Sequence, residues 1–109
     1  MSQELMKDLR DKVNALLAIQ RAPSQFAILS HLLSTRRTMT IKELSAELNL
    51  TPKATERAMA KLLEKGLIQR TPFRDGGYTC DGNLILLSLL LATSEIHERL
   101  SRLEATSGA

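Results

Sequence analysis

Apolar positions fall three and four residues apart along most of this chain. Over residues 2–21, Leu5, Met6, Leu9, Val13, Leu16, Leu17 and Ile19 keep that spacing, which predicts an amphipathic helix. Ala22-Pro23 ends it, and Ser24 stands where it can cap the next helix. In that second helix Phe26, Ile28, Leu29, Leu32 and Leu33 form an apolar stripe suited to the centre of a core. Ser34 to Thr40 is polar and basic, a connection in which Met39-Thr40 reads as a short strand. Thr40 followed three residues later by Glu43 is a capping box: the hydroxyl takes an orphan amide of the first turn, and the carboxylate reaches back to the cap's own N–H. A helix over Ile41–Leu48 follows, with Ile41, Leu44 and Leu48 inward and the small residue Ala46 at its centre. Asn49-Leu50-Thr51 is a tight turn. Thr51 caps again, and Pro52 takes the first helical position, where its missing N–H costs nothing. The helix runs to Lys65, and Gly66 ends it in a left-handed cap.

After Gly66 the pattern changes. Leu67 to Thr71, held between Gly66 and Pro72, suits a short strand. Asp75-Gly76-Gly77 is a turn signal, and Tyr78-Thr79-Cys80 is the returning strand. Asp81-Gly82-Asn83 breaks the chain again, and a long helix runs from Leu84 to about Glu104, with a fraying tail at Thr106-Ser107-Gly108-Ala109. The prediction is one mostly α (α+β) domain spanning 1–109. It is a winged helix-turn-helix with its helix-turn-helix at about 40–65 and a β-hairpin wing at about 67–80. Long terminal helices flank it at about 2–21 and 84–105.

Composition narrows the function classes. Aromatic residues make up only 3% of the chain and there is no Trp, against the habit of all-β folds. The longest apolar run, Leu84 to Ala92, is interrupted by Ser88 and far too short to span a bilayer. Glu4, Lys7, Asp8 and Arg10 near the start do not make a signal peptide. A cytoplasmic protein with no membrane partner is expected. Cys80 is the single cysteine, and His31 and His97 lie far apart, so no disulfide framework, metal site or cofactor is predicted. Cys80 on a strand reads as an inert, buried thiol rather than a redox switch. His31 reads as a structural residue. No glycine-rich phosphate loop and no grouping of acids, bases and a nucleophile points to an enzyme.

Charge then locates a partner. The net charge is +3, but it is unevenly spread. Between Arg36 and Arg74 there are nine basic and four acidic residues, against six and eight in the rest of the chain. An anionic partner for the middle third follows. On the helix after Thr51, Ala58, Met59, Leu62 and Leu63 share one face, while Lys53, Arg57 and Lys61 fall opposite. A helix with an apolar back and a cationic front fits the major groove of double-stranded DNA. Arg57 is the candidate for bidentate reading of guanine, and Lys53 for a base edge or phosphate. Lys61 is placed for the backbone and the Thr51 hydroxyl for a phosphate. Glu56 must face away, pair with a basic neighbour or accept from cytosine N4. Arg74, beside the wing tip, is placed for a narrow minor groove. Arg36, Arg37 and Lys42, at or before the first helix of the motif, are placed for backbone contacts.

The stretch MTIKELSAELNLTPKATERAMAKLLEKGLIQRT, and within it Leu63-Glu64-Lys65-Gly66-Leu67-Ile68-Gln69-Arg70, resembles the winged-helix regulators of the MarR and TrmB-like groups. The resemblance covers about residues 24–80. It implies sequence-directed binding of double-stranded DNA, by a homodimer acting on transcription. TrmB-like proteins with a long sugar-sensing C-terminal part are matched only in their DNA-binding half. No such part is expected here, so any small-molecule effector is unknown and is expected to sit between the helices of the dimer.

The last helix carries a second stripe: Leu86, Leu89, Thr93, Ile96, Leu100 and Leu103 make a heptad-like seam. With the N-terminal helix it offers a surface for a homodimer, and two terminal helices flanking a winged domain resemble the dimerisation elements of MarR-like proteins. Both helices could instead fold back on one monomer's core. Two other functions fit a winged helix: a protein-interaction module of a larger transcription or replication assembly, and a sequence-neutral architectural DNA-binding protein.

Overall fold

The computed structural model describes residues 2–107. Eight elements follow in order: α1 (Gln3–Ile19), α2 (Pro23–Thr35), β1 (Met39–Thr40), α3 (Ile41–Leu48), α4 (Pro52–Glu64), β2 (Gln69–Arg70), β3 (Gly77–Thr79) and α5 (Gly82–Ser107). The molecule is mostly helical with one small antiparallel sheet, the architecture of a winged helix-turn-helix. In the sheet β3 lies between β1 and β2, with Met39 opposite Tyr78 and Gln69 opposite Thr79. The wing is thus three-stranded: the short strand before α3 pairs into the expected hairpin.

The caps follow the sequence closely, because each is a contact between residues three or four apart. Thr40 and Glu43 form the full capping box on α3. Thr51 Oγ1 accepts from the Ala54 amide at 3.1 Å, with Pro52 in the first turn of α4. Asn49 ends α3 at φ 55°, and Gly66 follows α4 at φ 71°. Three expectations change. The N-cap of α2 is Ala22, without a side-chain bond, so Ser24 lies inside the helix; Pro23 starts the turn with its fixed φ. Asp81 Oδ1 accepts from the amides of Asn83 and Leu84, so Asp81-Gly82-Asn83 starts α5 rather than breaking the chain before it. The helix continues through Thr106 and Ser107, expected to fray; Gly108 and Ala109 lie outside the described residues.

The core is built where α2, α3 and α4 meet the strands. Ile28, Leu29 and Leu32 of α2, Met39, Leu44, and Ala58, Met59 and Leu62 of α4 are all buried, as are Leu67, Ile68 and Ile85. Each fully buried leucine there contributes about 1.5–3 kcal/mol. Phe26 is not part of this core. It stands two residues before Ile28, on the other side of the helix, and is half exposed. A second layer joins α1 to α5, where Leu9 is buried and Arg10 lies 3.2 Å from Glu95. No helix among the described residues is long and apolar enough to cross a membrane.

Candidate nucleic-acid interface

α4 separates its two faces cleanly. Thr55, Ala58, Met59 and Leu62 are buried, and Leu63 is half-buried. Lys53, Glu56, Arg57, Ala60, Lys61 and Glu64 are all exposed on the opposite side. The periodicity anticipated the apolar back except for Thr55, which carries a hydroxyl into the core. That hydroxyl donates to the Thr51 carbonyl at 2.9 Å and meets Ser45 Oγ of α3 at 3.0 Å. Ser45 is therefore the small residue at the crossing of the two helices. Ala46, the small residue that the sequence places at the centre of α3, is exposed. It lies two residues from Leu44 and so points outward, whereas Ser45 stands in line with Ile41 and Leu48.

The cations expected at an anionic partner divide into two sets. Lys53 and Arg57 on α4, Lys42 on α3 and Arg36 after α2 are exposed, and no ion pair holds them among the described residues. Arg36 ends α2 in the left-handed region at φ 55°, its amide donating to the Leu32 carbonyl at 3.0 Å. The other set is already partnered. Arg37 Nη2 donates to Glu47 Oε1 at 2.7 Å, and His31 Nε2 shares that same oxygen at 3.1 Å. These contacts hold the Glu47 carboxyl below its ordinary pKa, the His31 hydrogen bond most strongly. Lys61 lies 3.7 Å from Glu64 one turn on. Lys65, which closes α4, donates to Gln25 Oε1 of α2 at 2.8 Å and serves packing. Glu56 has no ion pair among the described residues, so pairing with a basic neighbour is not how α4 accommodates it.

Arg74 is folded back on the protein. Its Nη1 donates to the Thr38 carbonyl at 2.9 Å, and its Nη2 lies 2.8 Å from Glu43 Oε1. The same carboxylate oxygen accepts from the Thr40 amide at 3.0 Å and from the Thr40 hydroxyl at 3.1 Å. The Thr40 amide bond is the main reason the Glu43 carboxyl stays below its ordinary pKa; burial opposes it, and the Arg74 hydrogen bond assists. The capping box thus doubles as the dock for the wing's arginine. Sequence reasoning found both halves of this arrangement but not their meeting, because Arg74 and Glu43 are far apart in the chain. It also passed over Phe73, which is 95% exposed at the wing tip.

Cys80 follows β3 beside Leu33, Ile85 and Leu89, in a cleft where the end of α2 meets the start of α5. Burial pushes its thiol pKa up, and Asp81 adds to the shift. Less thiolate and less reactivity result.

On α5, Ile85 and Ser88 face the domain and are buried, while Leu86, Leu89, Ile96, Leu100 and Leu103 are each more than half exposed. The heptad-like seam therefore lies on the outer side of the helix. Leu87 and Leu90 widen it.

Residues 21–69 match the family model described as "Winged helix-turn-helix DNA-binding". That span runs from the turn after α1 to the first residue of β2, and so contains α3 and α4 but not the tip of the wing. No curated protein matches the chain. Among solved structures, the chain is similar to an apo-form mutant of ZitR from Lactococcus lactis. The two are 20% identical, with a TM-score of 0.51, and the match covers 100% of this chain and 84% of that one. At that identity the likeness speaks for a shared fold.

Proposed function

We propose that this protein is a sequence-specific, double-stranded DNA-binding transcriptional regulator of the MarR or TrmB-like kind, acting in the cytoplasm as a homodimer and not as an enzyme. One observation carries the reading. On α4 four consecutive inward positions are buried, and the opposite face presents Lys53 and Arg57 with their charges unspent. Burial of Thr55, Ala58, Met59 and Leu62 fixes which way those cations point. Fixed cations on a capped helix suit base edges and phosphates in the major groove.

In this reading Arg57 reads guanine and Lys53 a base edge or phosphate. The Thr51 hydroxyl, which already accepts from Ala54, is left with its proton to donate to a phosphate. Lys42, Arg36, Arg37 and Lys61 meet the backbone, the last two exchanging Glu47 and Glu64 for phosphate. The exposed outer seam of α5, with α1 beside it, joins two copies, and a two-fold axis then asks for an inverted repeat.

Selection of bound sequences from a random duplex pool tests this. An enriched inverted repeat is expected, and Arg57→Ala should weaken binding to it by about tenfold or more. Equal affinity for every duplex would point to an architectural protein. The absence of any salt-sensitive duplex binding would point to a protein-interaction module.

A further inference from the structure

Phe73 occupies an unusual place. It is 95% exposed, above every other large apolar residue described, yet its backbone is closely held. Its amide donates to Thr71 Oγ1 at 3.2 Å. The loop around it is closed by the Thr71 amide on the Gly77 carbonyl at 3.1 Å and the Gly77 amide on the Arg74 carbonyl at 3.0 Å. Gly77 has no room to spare: a Cβ there would stand 2.7 Å from Thr38 Cγ2 and 3.0 Å from Thr71 Cγ2. Arg74 then ties the loop to α3 through Thr38 and Glu43. The neighbouring side chains thus turn in opposite senses. Arginine goes back to the protein, and the phenylalanine ring is left in water at the tip.

We propose that Phe73 is the wing's own contact with the duplex, an apolar wedge that enters the minor groove and packs against sugars and a partly unstacked base step. Arg74 is the positioning residue that aims it. This rests on the DNA-binding reading above and revises what the wing contributes to it. An aromatic ring on a braced turn has little to gain in water and a π-face to offer a base. On the same wing Arg70 of β2 is exposed and has no ion pair among the described residues, a cation left for an anionic surface; Asp75 beside the tip and Glu43 against Arg74 are the acids nearby.

The chain has no Trp, so Phe73→Trp places a single indole at the tip. Its emission should be quenched when the selected duplex is added to saturation, and should stay unchanged when protein alone is concentrated. Phe73→Ala should melt like the wild type, bind the selected duplex about tenfold more weakly, and keep the same dependence on salt, since a ring releases no counterions. Arg74→Gln should reduce the indole quenching at full occupancy. If the wild type binds the duplex and Phe73→Ala binds it equally well, or the indole does not respond, the wedge is refuted while DNA binding stands. Quenching on concentration without DNA would refute it in favour of a contact between copies. A wild type that binds no duplex would remove both readings.

Discussion

Ser45 on α3 and Thr55 on α4 are both buried, and their hydroxyl oxygens lie 3.0 Å apart. The Thr55 proton goes to the Thr51 carbonyl, so Ser45 is the donor between the two, sharing its one proton between Thr55 and the Ile41 carbonyl. Two polar side chains thus meet where α3 packs on α4 and link the two helices of the helix-turn-helix. Thr55→Val keeps the shape and removes the bond. Ser45 retains the Ile41 carbonyl at 2.8 Å as an alternative acceptor, so the expected loss in urea unfolding is modest, about 1 kcal/mol. Ser45→Leu must push the helices apart and should cost more, about 1–3 kcal/mol or above. A Ser45→Leu protein as stable as the wild type would show that the crossing is not close-packed.

Glu43 serves the cap of α3 and Arg74 at once, and the two roles separate by substitution. Its pKa is lowered in the folded protein, so its contribution to stability is present above the ordinary carboxylate pKa and is lost as pH falls through the lowered value. Glu43→Gln can still reach back to the Thr40 amide but carries no charge for Arg74. Stability of this variant, followed by thermal melting from pH 7 downwards, should show a shallower acid-side fall than the wild type. Glu43→Ala loses the cap as well and should be the less stable of the two at pH 7.

The outer seam of α5 gives a prediction about assembly. Ile96 and Leu100 are 57% and 55% exposed, so charges placed there leave the core alone. Ile96→Glu with Leu100→Glu should therefore keep the helical circular dichroism signal of the wild type. Light scattering should show the mass falling from two chains to one. An unchanged mass would mean that copies do not meet through this seam.

Lys53 has two readings that substitution separates. With Lys53→Ala, loss of a phosphate contact lowers the slope of log affinity against log salt by about one and weakens all duplexes alike, whereas loss of a base contact relaxes the sequence preference. Losing a base contact with Arg57→Ala should relax the sequence preference at one position of the site. Binding isotherms at several salt concentrations, on the selected duplex and on a scrambled one, distinguish the two.

Much of the fold was legible because its determinants are local. The capping box of Thr40 and Glu43, the Thr51-Pro52 start and the Gly66 stop each involve neighbours in the chain. Periodicity likewise assigned the two faces of α4. It failed where a stripe was wider than the surface it met, as with Phe26, and it left out Ser45 and Thr55, whose buried hydroxyls carry no apolar signal. For the candidate interface, the sequence supplied the cations but not their state. Whether Arg37 and Arg74 are free depends on Glu47 and Glu43, which tertiary folding brings to them from ten and more residues away.

Only Cys80 and Asp81 separate the last strand of the wing from the first turn of α5. So short a joint cannot absorb much rotation. If two copies grip one another along α5, the angle at which those long rods cross also sets the heading of each wing, and a change at the junction between subunits would be felt at the outermost loop as a swing.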